Sequence, residues 1–193
     1  MKNTTLEYYD QNADSFVNTT QGVVFTEIQD LFLSFLPEGG KVLDFGCGSG
    51  RDSKYFLEKG FCVSACDGSA EMCKAASVYA GIEVKKMLFT DLCDKQVYDG
   101  IWACSSILHC DHESLKIVFA KMYDALKEKG ILYTSFKYGT FEGMRNGRYF
   151  IDLDEEGIQA YIGNFDVLKE WISGDVRPGR ENEKWLNVIL RKR

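Results

Sequence analysis

The heptapeptide Asp44-Phe45-Gly46-Cys47-Gly48-Ser49-Gly50 is the part of this sequence best suited to chemistry. Glycines at alternate positions let the backbone turn sharply and approach a ligand closely. A helix starting just after such a turn offers free N–H groups and the positive end of its dipole, a seat for phosphate or carboxylate. Two spaced acids follow. Asp67 closes the next apolar run, where a carboxylate can accept hydrogen bonds from both hydroxyls of a ribose. Asp91, in Phe89-Thr90-Asp91-Leu92, lies past a third run and can accept from an exocyclic adenine amine. Each acid alone is equally at home as a helix or turn cap; the three features in this order describe an adenosine site. A dinucleotide fingerprint spaces its glycines G-x-G-x-x-G, and here Arg51 takes the place of the last one, which disfavours NAD.

Further candidates lie downstream. His109 follows a fourth apolar run and is the candidate catalytic or acceptor-contacting base. His112 reads as a helix start. Cys104, His109, Cys110 and His112 are close in sequence, but their spacing fits no common structural zinc site, so no metal is expected. Arg51 can face a carboxylate or form a surface pair. Arg145, Arg148 and Tyr138 fall in a segment expected to overlie the site, with either anion recognition or simple solvation as their role.

The elements that must position these groups alternate. Helical spacing of Phe25, Ile28, Phe32 and Phe35 predicts a helix over 22–36, stopped by Pro37. Strands are expected at 41–45, 61–66, 82–88, 97–104 and 131–136. Helices are expected after the glycine turn, after Ser69 and through Leu115–Leu126, the last ended by Gly130. This alternation implies a doubly wound, mostly parallel α/β sheet with helices on both faces. Residues 138–148 read as a loop and 154–162 as a short helix. Residues 165–176 and 185–191 read as a closing antiparallel hairpin, joined through Pro178-Gly179.

The chain has 193 residues, enough for one domain with a sizeable core but not for separate cofactor and substrate domains. Its 23 Lys+Arg against 29 Asp+Glu leave a net charge of −6, which argues against a sequence-independent grip on nucleic acid. No apolar stretch approaches the length of a membrane span, and the N-terminus lacks signal-peptide features. Seven cysteines without a C-x-x-C pair read as free thiols, and the expected location is the cytoplasm.

From about Tyr8 onward the chain resembles the class I S-adenosylmethionine-dependent methyltransferases. Asp44-x-Gly46-x-Gly48-x-Gly50 is similar to their first motif, Asp67-Gly68-Ser-Ala-Glu-Met72 to the ribose-binding segment, Phe89–Leu92 to the adenine-contacting motif, and Tyr98–His109 to the fourth-strand motif. The resemblance implies a seven-stranded Rossmann-like sheet, S-adenosyl-L-methionine as cofactor and S-adenosyl-L-homocysteine as product. It implies cofactor contacts from Asp44, Gly46, Cys47, Gly48, Gly50, Asp67, Gly68, Met72, Asp91, Leu92 and Cys104. Tyr8, Tyr9 and Phe16 are aromatic lid candidates, and Tyr9 is counted with the cofactor contacts. Within the family the chain looks most like compact small-molecule enzymes, including the tellurite-resistance type. Base-amine methylation is disfavoured because Ala103-Cys104-Ser105-Ser106 stands where an Asn/Asp-Pro-Pro-aromatic element is usual; no Pro-Cys occurs for cytosine C5 chemistry. The expectation is a single domain, with residues 1–36 as a helical lid and 139–162 as an irregular insertion, acting on a small-molecule substrate without nucleic acid or membrane. An NAD-dependent oxidoreductase and a non-catalytic cofactor-binding module are the alternatives.

Overall fold

The computed structural model describes residues 3–177 and 179–193; Pro178 of the expected closing turn and the first two residues of the expected lid lie outside the described residues. Three helices open the chain: α1 (Asn3–Gln11), α2 (Ala13–Thr20) and α3 (Thr26–Leu33). Then follow β1 (Lys41–Phe45), α4 (Arg51–Glu58), β2 (Cys62–Asp67), α5 (Ala70–Ala80), β3 (Val84–Lys86), β4 (Tyr98–Ala103), α6 (His112–Ala125) and β5 (Leu126–Lys137). The chain closes with β6 (Glu142–Arg145), β7 (Arg148–Ile151), α7 (Gln159–Ile162), β8 (Phe165–Gly174) and β9 (Lys184–Lys192).

Seven strands form one sheet in the order β3-β2-β1-β4-β5-β9-β8. The first five run parallel; β9 pairs antiparallel with both β5 and β8. The chain leaves β1 towards β2 and β3, then returns to the other side of β1 as β4. Ligands of such sheets bind outside the carboxyl ends of the strands at this reversal, where the glycine turn after β1 and His109 after β4 both lie.

Side-chain alternation along the strands builds two faces. Leu43, Phe45, Ile101, Ala103, Leu132 and Phe136 face one core with Leu115, Val118, Phe119 and Met122 of α6. Val42, Trp102, Ile131, Tyr133 and Ile189 face the other, with Phe32 of α3 and Phe56 of α4. Among the described residues no helix is long and apolar enough to cross a membrane.

Three local expectations need correction. The helix expected over 22–36 is shorter: Gly22, Val23 and Val24 are poor helix formers and stay outside α3, which begins with Thr26-Glu27. Gly130 ends no helix. The N–H groups of Gln96 and Val97 take the carbonyls of Asp124 and Ala125, so α6 stops there without a glycine cap and Leu126 enters β5 directly. Residues 138–148 are not simply a loop. Asn146 and Gly147, at φ 50° and 78°, form the two-residue turn of a hairpin between β6 and β7, and this is the turn chemistry that matches strand twist.

Candidate cofactor and acceptor site

The turn after β1 folds back onto β2: the N–H groups of Gly46 and Cys47 both donate to the Cys66 carbonyl, at 2.9 and 3.0 Å. Gly46 has φ +85°, and a Cβ there would meet the Ser106 Cβ at 2.5 Å. Only glycine fits. The turn presents the Gly48 N–H to Asp67 Oδ2 at 3.0 Å, and the Ser69 N–H donates to Asp67 Oδ1 at 2.9 Å. Asp67 is thus held by backbone at the carboxyl end of β2, with its carboxyl raised from the ordinary value by burial. Ser69 caps α5 by accepting from the Met72 N–H and donates to Asp10 of α1 at 2.5 Å.

One cavity runs along this edge of the sheet, lined by residues from the N-terminal helices, the glycine turn, β2, the segment after β4, β5, β7 and the β8–β9 end. Of the residues expected from sequence it brings together Tyr9, Gly46, Cys47, Gly48, Asp67, Met72, Cys104 and His109. Five others lie outside its described lining. Asp44 is buried, accepts from the Ser53 hydroxyl at 2.6 Å, and is pushed up to about 8 by burial and by Asp52. Gly50 packs against Ala76 of α5 and Gly68 lies under Leu6. Leu92 belongs to the core and Asp91 is exposed. Phe89 is the residue of that motif that reaches the wall.

Opposite the glycine turn stands a relay built from α1, the segment after β4, and β7. His109 Nδ1 lies 2.6 Å from the Tyr149 carbonyl. A carbonyl only accepts, so the proton is on Nδ1 and Nε2 carries a lone pair. The Tyr9 hydroxyl donates to that nitrogen at 2.9 Å, and Arg148 Nη1 donates to the same hydroxyl at 3.3 Å. Burial drives the His109 pKa down to about 4, with Arg148 adding to the shift, so the ring is neutral near pH 7. Burial also raises Tyr9, against the pull of Arg148. Thr5 Oγ1 accepts from the Tyr149 N–H at 3.0 Å, tying α1 to β7.

The other charged candidates are engaged elsewhere. Arg145 forks onto Asp152 at 3.3 and 2.8 Å and stacks on Phe141. Tyr138 donates to Glu155 at 3.0 Å. His112 begins α6 and bonds Tyr161. Among the described residues no group of three potential ligands is arranged for a metal ion.

Sequence reasoning missed Asp52, the hub of the cavity wall. It accepts from Arg51 at 2.7 and 2.9 Å, from Gln29 at 2.7 Å and from the Trp102 indole at 2.8 Å. It also missed Ser135 and Asn187, polar residues within β5 and β9. Asn187 accepts from Tyr133 at 2.8 Å, and Ser135 Oγ accepts from the N–H of Ser105 at 2.9 Å. Ser105 sits at φ 52°, a strained value for a serine at a ligand-facing turn. For Asn187, a lone polar side chain in an apolar run was the available signal; Ser135, beside Thr134, gave none.

Residues 42–130 match a family model described as "Methyltransferase domain". The matched residues make up a little under half of the chain and support a class I methyltransferase. Its fold is similar to that of the 1,6-didemethyltoxoflavin-N1-methyltransferase of Burkholderia thailandensis, whose crystal structure holds 1,6-didemethyltoxoflavin and S-adenosylhomocysteine; identity is 20%, coverage 97% of this chain and 84% of that one, and the TM-score 0.75. TehB of Haemophilus influenzae is 18% identical over 98% of this chain and 67% of its own, with a TM-score of 0.73. The [4+2]-cyclase SpnF is 14% identical over 96% and 94%, with a TM-score of 0.77. At such identities the likeness is one of fold. No curated protein sequence matches the chain. The matched domain supports S-adenosylmethionine as the cofactor. The cavity fits it: Asp67 offers a carboxylate at the carboxyl end of β2, and Met72, Phe89 and Leu108 offer apolar wall.

Proposed function

We propose that this protein transfers a methyl group from S-adenosylmethionine to a small-molecule acceptor by direct displacement. The observation carrying the proposal is one cavity with the backbone-held Asp67 and glycine turn on one wall and the Tyr9–His109 pair on the other. The cofactor supplies an electrophilic methyl group on a positively charged sulfur. Asp67 would accept hydrogen bonds from the ribose hydroxyls, and Gly46, Cys47 and Gly48 would bring bare backbone against the rest of the molecule. Displacement disperses charge, so a dry wall built from Phe16, Phe25 and Phe150 assists positioning without adding chemistry. His109 would receive a proton from an acceptor that arrives protonated, but only after the Tyr9 hydroxyl leaves Nε2.

Calorimetric titration with S-adenosylmethionine, S-adenosylhomocysteine and NADH tests the reading. The two sulfur nucleosides should bind and NADH should not; a folded protein that ignores both at millimolar concentration overturns it. Asp67→Ala should weaken cofactor binding by about 1–3 kcal/mol. Asp67→Asn keeps one acceptor oxygen and turns the other into an NH2, so it retains at most one of the Gly48 and Ser69 N–H bonds and should weaken cofactor binding as well. Methyl release over an acceptor panel distinguishes a transferase from a binding module.

A further inference from the structure

Five cationic side chains line the cavity: Arg51, Lys137, Arg148, Arg177 and Arg180. Four have carboxylates. Arg51 forks onto Asp52, Arg177 onto Asp175, and Lys137 and Arg180 meet Glu183. Arg148 has no carboxylate within ion-pair distance among the described residues, and its Nε is buried without a hydrogen-bond partner. The residue is half-buried and lines the cavity, so its charge, without a carboxylate from the chain, is open to an external anion.

The hairpin turn at Asn146-Gly147 delivers Arg148 to the cavity. Its guanidinium packs on three rings, 4.6 Å from Tyr8, 5.6 Å from Tyr9 and 5.1 Å from Phe150. The rings pack around the guanidinium, and a guanidinium so held can receive a carboxylate through its terminal N–H groups. Among the described residues its side chain makes one hydrogen bond, the 3.3 Å contact to the Tyr9 hydroxyl, beside His109. The anion site therefore adjoins the candidate base, and the surrounding walls are aromatic.

We propose that Arg148 binds the carboxylate of the acceptor, so that the acceptor class is a small aromatic carboxylic acid. The word acceptor rests on the transferase reading; the anion site does not. One other carboxylate could claim the same guanidinium, that of the amino-acid end of the cofactor.

The test uses benzoate as the probe, benzamide as its neutral isostere, and the full chain with and without S-adenosylhomocysteine. Wild type should bind benzoate saturably and benzamide at least tenfold more weakly. Arg148→Gln should lose at least tenfold in benzoate affinity, and Arg148→Lys, which keeps charge but not the fork, should fall between. Affinity for S-adenosylhomocysteine and for 5′-methylthioadenosine, which lacks the amino-acid end, should change less than twofold in both variants. Absence of benzoate binding in wild type, or equal binding in Arg148→Gln, overturns the proposal. So does a loss of S-adenosylhomocysteine affinity with 5′-methylthioadenosine unaffected, which assigns Arg148 to the cofactor. Circular dichroism checks the fold, and Arg148→Lys carries the comparison if Arg148→Gln does not fold. If S-adenosylhomocysteine fails to bind wild type, the transferase reading falls, while the nucleoside-free benzoate arm still decides the anion site.

Discussion

His109 shows how one buried side chain can be both poised and restrained. Its proton sits on Nδ1 because a carbonyl demands it, and its Nε2 is held by Tyr9. Its pKa, about 4, lies below the ordinary 6.5, so between those values the unfolded chain binds a proton that the folded protein refuses. This contribution to stability is intact above pH 6.5 and is lost as pH falls towards 4, by at most about 3 kcal/mol. Denaturant titrations from pH 7 to 4 should show wild type losing this amount relative to His109→Gln, which has no such proton; parallel curves for the two proteins would remove the burial argument. Residue by residue, Asp67 was readable from its place after an apolar run. Asp52 was not, because its partners Gln29 and Trp102 are far away in the chain and no local pattern joins them. Arg148 was readable as a cation but not as an unpaired one, since pairing is decided by the fold.

Among the elements, the glycine turn was the most legible because its demands are local. Positive φ and a crowded Cβ position at Gly46 leave no other residue that fits. Gly46→Ala should destabilise the protein by about 2 kcal/mol or more, read from denaturation midpoints, through strained backbone and collision with Ser106 and Phe89. A near-neutral result would mean that the turn can be rebuilt around a side chain. The β6–β7 hairpin was less legible although Asn146-Gly147 is a strong turn signal, because Glu142-Gly143-Met144-Arg145 shows no clean alternation of apolar and polar residues. The end of α6 was misplaced for a related reason. Its last carbonyls are satisfied by Gln96 and Val97, which lie earlier in the sequence, so nothing after Ala125 needed to announce a stop.

At the scale of the whole molecule, alternating strands and helices fixed the parallel half of the sheet, and two apolar runs near the C-terminus gave β8 and β9. Their order could not come from periodicity; it follows from β9 entering between β5 and β8, which brings the ends of all three strands to the cavity. A ligand there touches most of the layers at once. S-adenosylhomocysteine at a hundred times its dissociation constant should add about 2.7 kcal/mol to stability. For a chain of this size that is a rise of about 5–10 °C in Tm, measurable by calorimetry; an unmoved Tm at saturating nucleoside would contradict the cofactor assignment. The Asp52 hub has a consequence of another kind. Trp102 is fully buried, stacked on Tyr133 at 4.1 Å between ring centroids, and its indole N–H ends on the same carboxylate that grips Arg51 in the cavity wall. An indole's emission responds to the charge and hydrogen bonding around its nitrogen, so whatever disturbs Arg51 from the cavity side alters the light given off from the core beneath α4. The protein carries its own optical gauge of occupancy, with no dye or label attached.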